Sequence, residues 1–229
     1  MVCISIFISI FALINGNIKF KSQYMKIVVS SSVLLTHLHT ISRVVNAKNP
    51  LPIMDCFLFS VEGTILTIKA TDQDTTLTTT VELIESEKDG LFALEAKKML
   101  DALRELPDQP ITISVSEDDF LSYVYYQNCK YSLVGRNGMD FPVKQCLSDD
   151  AIKLNMSVET LFDGISKTGF AASDDELRPV MNGILFDAFE DNLTFVATDT
   201  HKLVRYKNYK VANTGVSNFI LPKKPAIML

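Results

Sequence analysis

Residues 52–72 read PIMDCFLFSVEGTILTIKATD, and residues 179–199 read PVMNGILFDAFEDNLTFVATD. The two stretches align without a gap at a constant offset of 127 residues, and nine of their 21 positions are identical. Composition alone would produce about one or two such identities. The chain therefore contains an internal repeat, and this repeat determines how the rest of the sequence is interpreted.

The repeat extends beyond these stretches. At the same offset, four residues ahead of the first stretch fall on similar residues of the second copy: Lys26 on Lys153, Ser30 on Ser157, Leu34 on Leu161 and Leu38 on Ile165. With a one-residue adjustment, Lys97-Lys98 falls on Lys223-Lys224. A unit of about 125 residues is a duplicated domain and not a solenoid repeat. We expect a first domain over 25–149 and a second, incomplete domain over 150–229.

Each copy is predicted to combine two helices with several strands. Ser30 and Ser157 are expected to be N-caps, and Leu34, Leu38, Ile41 and Val45 follow helical spacing. A second helix is predicted over 95–106, where Pro107 ends it. Residues rich in β-formers predict strands over 57–62, 64–70, 75–84, 90–94, 110–116, 120–126 and 129–135. The fold class is therefore α+β, with two helices backed by antiparallel sheets in each copy.

The first 24 residues differ from the rest of the chain. Residues 3–14 read CISIFISIFALI, an apolar run of twelve residues, whereas a transmembrane helix needs about 20. A secretory signal would carry Lys or Arg ahead of this run and a small-x-small cleavage site after it, and neither is present. We interpret residues 1–24 as an upstream extension or a misassigned start ahead of Met25; an export or anchoring signal is the alternative.

Composition excludes several classes of protein. The 229 residues carry a net charge of −5 and are 47% hydrophobic, which indicates a folded protein that does not coat nucleic acid through bulk charge. The sequence contains no HExxH, GxSxG, Walker-type or GxGxxG motif. The four cysteines have no metal-ligand spacing, so we expect reduced thiols.

A few polar residues could carry chemistry. Asp72 and Asp74 could bind a divalent cation, but an Asp after a strand more often closes a turn. His201 follows Asp199 by two residues and could act as a general base if a partner lay within reach. The acidic residues 174–176 are expected to form a solvated loop, and His37 and His39 are expected to face different sides of a helix.

Paired lysines recur in the two copies. Lys97-Lys98 and Lys223-Lys224 each open a predicted helix. Ordinary surface lysines would also fit, but recurrence at matched positions favours a row of positive charge that contacts a phosphate backbone.

Five short motifs are spread along the chain in a fixed order: Leu51-Pro-Ile53, Asp140-Phe-Pro142, Arg178-Pro-Val-Met-Asn-Gly183, Val196-Ala-Thr-Asp-Thr-His-Lys-Leu203 and Leu221-Pro-Lys-Lys224. Together with the repeat, they make the chain resemble the bacterial sliding clamp family, the beta subunit of DNA polymerase III. The resemblance covers nearly the whole chain from Met25 to Leu229.

The resemblance implies a processivity factor without catalytic activity or cofactor. Three-domain subunits would form a head-to-tail homodimer, a ring around double-stranded DNA with helices inside and sheets outside. The ring would tether the polymerase by raising its effective concentration at the primer end. The third domain and the end of the second are absent from the sequence, so we do not expect the chain as written to close a ring. A cytoplasmic location without membrane contact is implied.

The resemblance also assigns site residues. The implied DNA contacts are Lys48, Lys97, Lys98, Lys223 and Lys224, and the acidic Asp175 stands at the repeat position matching Lys48. The implied half-pocket for short hydrophobic peptides of the DNA polymerase III alpha subunit and the clamp loader consists of Met181, Thr198, Thr200, His201, Lys202 and Leu203. Tyr131 is implied at the dimer interface, and no metal site is implied.

Two alternatives remain open at the level of sequence. One is a small-molecule-binding or hydrolytic α+β protein that uses Asp72, Asp199 and His201. The other is an exported β-rich surface protein whose mature chain begins after residue 24.

Overall fold

The structure, a computed structural model, describes residues 24–45, 49–72, 75–142, 154–175, 177–211 and 216–229. The chain divides into two compact units, which we call unit 1 (Met1–Lys144) and unit 2 (Gln145–Leu229). In the part of the chain that the structure describes, every helix is too short or too polar to cross a membrane.

Unit 1 is built on one long antiparallel sheet. Its described elements, in chain order, are β1 (Tyr24–Ser30), α1 (Ser31–Ile41), β2 (Cys56–Glu62), β3 (Ile65–Thr71), β4 (Thr76–Glu82), β5 (Glu85–Ser86), β6 (Gly90–Glu95), α2 (Ala96–Arg104), β7 (Pro110–Ser116), β8 (Leu121–Tyr126) and β9 (Cys129–Asn137). The strand order is β4-β3-β2-β6-β9-β8-β7-β1-β5. Strand β9 joins the two halves, since its first part pairs with β8 and its last residues pair with β6.

Unit 2 has a smaller antiparallel sheet. Its described elements are α3 (Val158–Thr168), β10 (Gly183–Phe189), β11 (Asn192–Thr198), β12 (Leu203–Asn208), β13 (Ser217–Pro222) and α4 (Lys223–Met228). The strand order is β12-β11-β10-β13. Both units therefore combine two helices with antiparallel strands, which confirms the predicted fold class.

The internal repeat is visible in the strand pairing. Strands β4-β3-β2-β6 of unit 1 have the same order as β12-β11-β10-β13 of unit 2. In unit 1 Cys56 pairs with Glu95, and in unit 2 Gly183 pairs with Pro222, so both partners are shifted by 127 residues.

The shared register corrects the lysine alignment of the sequence analysis. Because the constant offset of 127 holds as far as Pro222, Lys223 corresponds to Ala96 and Lys224 corresponds to Lys97. The one-residue adjustment that matched Lys223 with Lys97 was therefore wrong. It followed identical letters, whereas backbone pairing fixes the true equivalence.

The predicted N-caps are confirmed in both copies. Ser30 Oγ accepts a hydrogen bond from the Val33 N–H at 3.4 Å, and Ser157 Oγ accepts one from the Thr160 N–H at 3.2 Å. Each bond satisfies one of the N–H groups that lack a partner in a first helical turn. Helices α1 and α3 therefore begin at equivalent residues.

Helix α1 and strand β4 end earlier than predicted, and helix α2 spans only Ala96–Arg104 of the predicted 95–106. Helix α1 ends at Ile41 and tightens into a 3-10 turn, Ser42–Val44, so Val45 lies beyond the helix in extended conformation. The strand predicted over 75–84 is also wrong at its end. It stops at Glu82, because the next residues turn to place β5 beside β1.

Each unit has its own aromatic core. In unit 1 the buried rings of Phe59 and Phe92 stack with centroids 5.1 Å apart. In unit 2 Phe186 meets Phe195 edge to face at 4.7 Å and stacks on Phe219 at 4.9 Å. Such pairs add about 0.5–1.5 kcal/mol to the free energy that burial of their area provides.

Candidate functional site

The Ala-Thr-Asp sequence that ends both aligned stretches forms a hydrogen-bonded turn. In unit 1 the Thr75 N–H donates to Asp72 Oδ1 at 2.6 Å, and the Asp72 N–H donates to the Thr75 carbonyl at 3.0 Å. Thr71 Oγ1 also donates to the Thr75 carbonyl at 3.0 Å. This geometry confirms the interpretation of Asp72 as a residue that closes a turn after a strand.

The same turn recurs in unit 2. Asp199 Oδ1 accepts hydrogen bonds from the main-chain N–H groups of His201 (3.0 Å) and Lys202 (2.9 Å). Asp199 Oδ2 lies 3.0 Å from Lys202 Nζ, and Thr198 Oγ1 donates to the Lys202 carbonyl at 2.8 Å. Backbone and side-chain hydrogen bonds from Lys202 lower the pKa of Asp199 to about 2.

This turn leaves little support for hydrolytic chemistry. Asp199 contacts His201 through the main-chain N–H of the histidine, and its carboxylate is committed to holding the turn. Asp72 belongs to unit 1, whereas Asp199 and His201 belong to unit 2. Asp74, the second carboxylate of the possible cation site, lies outside the described residues, within which no cluster of three metal-ligating side chains occurs.

Strand pairing gathers the predicted peptide-pocket residues at one end of the unit 2 sheet. Strands β10 and β11 are antiparallel, as are β11 and β12, so the start of β10, the end of β11 and the start of β12 coincide. Met181 lies two residues before β10, Thr198 ends β11, and Leu203 begins β12 opposite Thr198.

The surface at this end is partly apolar and open. Met181 is half-buried, whereas Leu203 is 67% exposed. Thr200, His201 and Lys202 lie exposed on the turn that connects β11 to β12. Thr200 has a φ of +80°, a left-handed conformation that is unusual for a β-branched residue. An adaptable methionine, an exposed leucine and a few polar groups at one end of a sheet can accommodate an apolar ligand.

A cleft of about 780 Å³ lies at the start of α2 in unit 1. Lys97 and Lys98 line it together with Glu95 and Arg136. Lys98 Nζ lies 2.7 Å from Glu95 Oε2, and this hydrogen bond raises the pKa of Lys98. Arg136 was not predicted from the sequence. Its position on β9 opposite Ala93 becomes visible only once the pairing of β9 with β6 is known.

The two lysines of unit 2 that were predicted to contact DNA, Lys223 and Lys224, differ in their surroundings. Lys223 Nζ donates to the Ala172 carbonyl at 3.0 Å and to Asp174 Oδ1 at 2.5 Å, and its side chain is only 19% exposed. Lys224 follows it on α4. Asp175 accepts a bond from Arg178 Nε at 2.8 Å, and this contact is the main cause of its lowered pKa.

Two predicted residues remain to be placed. Lys48 lies outside the described residues. Tyr131 is 40% exposed on β9, directly opposite Val124 of β8. It borders a second pocket of about 240 Å³ that Leu106, Val124 and Tyr126 also line.

The two described cysteines of unit 1 add no further site. Cys56 and Cys129 are free thiols. Burial raises the pKa of the Cys56 thiol, and the nearby Arg136 guanidinium offsets this only in part. Cys3 and Cys146 lie outside the described residues.

Two α+β units of one repeat, each with helices and antiparallel strands, define a protein of the DNA-clamp class. A family model of the DNA polymerase III beta subunit, N-terminal domain, matches residues 25–145, and its central-domain counterpart matches residues 155–229. The chain therefore belongs to the DNA polymerase III beta-subunit family.

Individual relatives agree with this assignment. The beta sliding clamp of Halalkalibacterium halodurans is 26% identical over 210 residues, which are 87% of this chain and 55% of that protein. The beta sliding clamp of Caulobacter vibrioides is 30% identical over 213 residues, with the same coverage. The solved sliding clamp of Bartonella birtlesii bound to griselimycin has a TM-score of 0.81 and 29% identity, covering 90% of this chain and 55% of that one. The chain thus spans about half the length of the relatives it matches.

Proposed function

We propose that this chain supplies the N-terminal and central domains of a DNA sliding clamp, a ring that encircles duplex DNA and tethers the replicative polymerase. The observation that carries the proposal is the match of both units to consecutive beta-subunit domains, supported by the shared strand order of the two units. The role is that of a non-catalytic accessory subunit of the DNA polymerase III holoenzyme. We expect the protein in the cytoplasm, bound to replicating DNA.

A net charge of −5 is compatible with this function. A ring holds DNA by topology, so it requires only enough positive charge on its inner helices to orient the duplex. Lys97 and Lys98 at the start of α2, and Lys224 on α4, are the described lysines that we propose for phosphate contacts.

Retention on DNA tests the ring. The protein that carries this chain is loaded onto a nicked circular duplex, and the amount bound is compared before and after the circle is linearised. A clamp leaves linear DNA through its ends and stays on the circle. Equal retention on both forms would contradict encirclement and indicate ordinary surface binding.

We propose a half-pocket for short hydrophobic peptides at Met181, Thr198, Thr200, His201, Lys202 and Leu203. The DNA polymerase III alpha subunit and the clamp loader are its proposed partners. Support comes from the register, which brings the start of β10, the end of β11 and the start of β12 to one end of the sheet, and from the half-buried Met181 and the exposed Leu203 at that end. The turn at Asp199 restrains the polar members, because four of its polar contacts involve Lys202.

Charged substitutions test the pocket. We propose that griselimycin, to which the Bartonella birtlesii clamp is bound, occupies this half-pocket. Met181→Glu or Leu203→Glu should then weaken its binding at least about tenfold, because the new carboxylate would be desolvated on an apolar floor. Val216→Glu is a matched control, since Val216 is similarly exposed (66%). It lies just before β13, at the end of the sheet opposite to the proposed pocket. The measurement is a calorimetric titration. Equal affinity of all variants would show that the pocket is misassigned.

Tyr131 is proposed to contact the neighbouring subunit of a head-to-tail dimer. Its ring is 40% exposed and borders a pocket on the unit 1 surface that is lined mainly by apolar and aromatic side chains. The proposed domain boundaries are residues 25–149 and 150–229.

A further inference from the structure

We propose that Lys223 is a positioning residue of the peptide half-pocket and not a phosphate contact. Its ammonium group holds residues 172–175 and 177–182, which we call the floor segment and which contain the proposed pocket residue Met181.

The first argument is the contact geometry of the ammonium group. Lys223 Nζ donates to the main-chain carbonyl of Ala172 at 3.0 Å and to Asp174 Oδ1 at 2.5 Å. Ala172 is buried (4% exposed), and the Lys223 side chain is 19% exposed. The Asp174 side chain is 91% exposed, so solvent screens that ion pair, and the partly buried bond to the Ala172 carbonyl is the stronger restraint.

The second argument is the strand register. Lys223 occupies the repeat position of Ala96, a residue of unit 1 that is 3% exposed, whereas Lys224 occupies the position of Lys97. The first residue of this helix therefore faces inward in both units. At that position the aliphatic stem of a lysine is covered, and the Lys223 ammonium reaches the Ala172 carbonyl and the Asp174 carboxylate.

The third argument links this restraint to the pocket. The Ser173 N–H, next to the Ala172 carbonyl, donates to the Met181 carbonyl at 2.9 Å. The Lys223 N–H itself donates to the Asn182 carbonyl at 3.2 Å. Lys223 thus holds the floor segment at both ends, through its side chain at Ala172 and through its main chain at Asn182. The phosphate contact proposed for this helix is then left to Lys224.

Amide hydrogen exchange and griselimycin binding together test the assignment. Lys223→Met removes the ammonium but retains the main-chain bond, so exchange of the Ser173 and Met181 amides should accelerate at least about tenfold. Lys223→Arg can donate to the same acceptors and should restore protection. Asp174→Asn should have a smaller effect than Lys223→Met. Lys207→Met removes the same charge at the far end of β12 and should leave both amides unchanged.

Two results would overturn the assignment. One is wild-type protection of Ser173 and Met181 in Lys223→Met, and the other is an equal loss of protection across β10 and β11, which would indicate global destabilisation. Only the pocket role rests on the proposed partner-binding function, and griselimycin affinity reports on it separately. If Lys223→Met loosens the floor segment and weakens griselimycin binding about tenfold, both the positioning role and the pocket role of Lys223 hold. If the wild-type protein does not bind griselimycin, the pocket proposal fails, while the exchange data still decide the positioning role.

Discussion

At the scale of single residues, Asp199 makes the unit 2 turn sensitive to acid. Its pKa is lowered from 3.8 to about 2 by the hydrogen bonds from Lys202 and His201. A lowered folded-state pKa means that this carboxylate stabilises the fold fully above pH 3.8 and loses that contribution as the pH falls toward 2.

An NMR titration of the Asp199 carboxyl carbon should therefore show a midpoint near 2. Asp199→Asn should remove this acid-dependent part of the unfolding free energy between pH 4 and pH 2, which urea denaturation at several pH values measures. A midpoint at the ordinary value of 3.8 would show that the turn does not hold the carboxylate as described.

Gly164 provides a second residue-scale prediction, because α3 approaches β11 there without room for a side chain. A Cβ at residue 164 would overlap the buried ring of Phe195, whereas a Cβ at Gly169 would lie 3.5 Å from Ile184, an ordinary contact. Gly164→Ala should lower the free energy of unfolding by about 1–3 kcal/mol. Gly169→Ala is the matched control and should be neutral or slightly stabilising. Equal free energies for the two variants in urea denaturation would contradict this close approach.

At the scale of elements, the start of α3 depends on one hydroxyl. Ser157→Ala removes the acceptor of the Thr160 N–H and should cost about 1 kcal/mol in the free energy of unfolding. Ser157→Asp restores an acceptor at the same position and should recover most of that loss. Urea denaturation of the wild type and the two variants measures both changes in the free energy of unfolding. An alanine variant as stable as the wild type would mean that water replaces the cap without cost.

Sequence patterns predicted the bounds of individual strands and helices well, but they did not predict which residues of distant elements lie opposite each other. Strand β7 was predicted over 110–116 and lies at Pro110–Ser116, because alternating β-formers define such a strand locally. The place of Lys223 could not be predicted in this way. Identical lysine pairs suggested one alignment, whereas the strand register that places Gly183 opposite Pro222 enforces another. Arg136 was missed for the same reason, since its neighbours come from a distant strand.

At the scale of the whole molecule, the duplication supplies matched positions in the two cores. Phe59 and Phe186 are repeat equivalents, and each stacks on an equivalent ring, Phe92 in unit 1 and Phe219 in unit 2. Phe92 is completely buried, whereas Phe219 is 44% exposed. The same aromatic pair is therefore enclosed in unit 1 and borders solvent in unit 2.

Truncation of each ring should reveal two cooperative units of different strength. Phe59→Ala should cost about 3–5 kcal/mol, and Phe186→Ala should cost less, because a site beside a half-exposed ring can collapse or admit water. Amide exchange should show lost protection in β2, β3 and β6 for Phe59→Ala and in β10, β11 and β13 for Phe186→Ala, since each ring belongs to its own core. Loss of protection in both sets of strands from either substitution would contradict separate units. It would mean that the duplicated domains unfold as one.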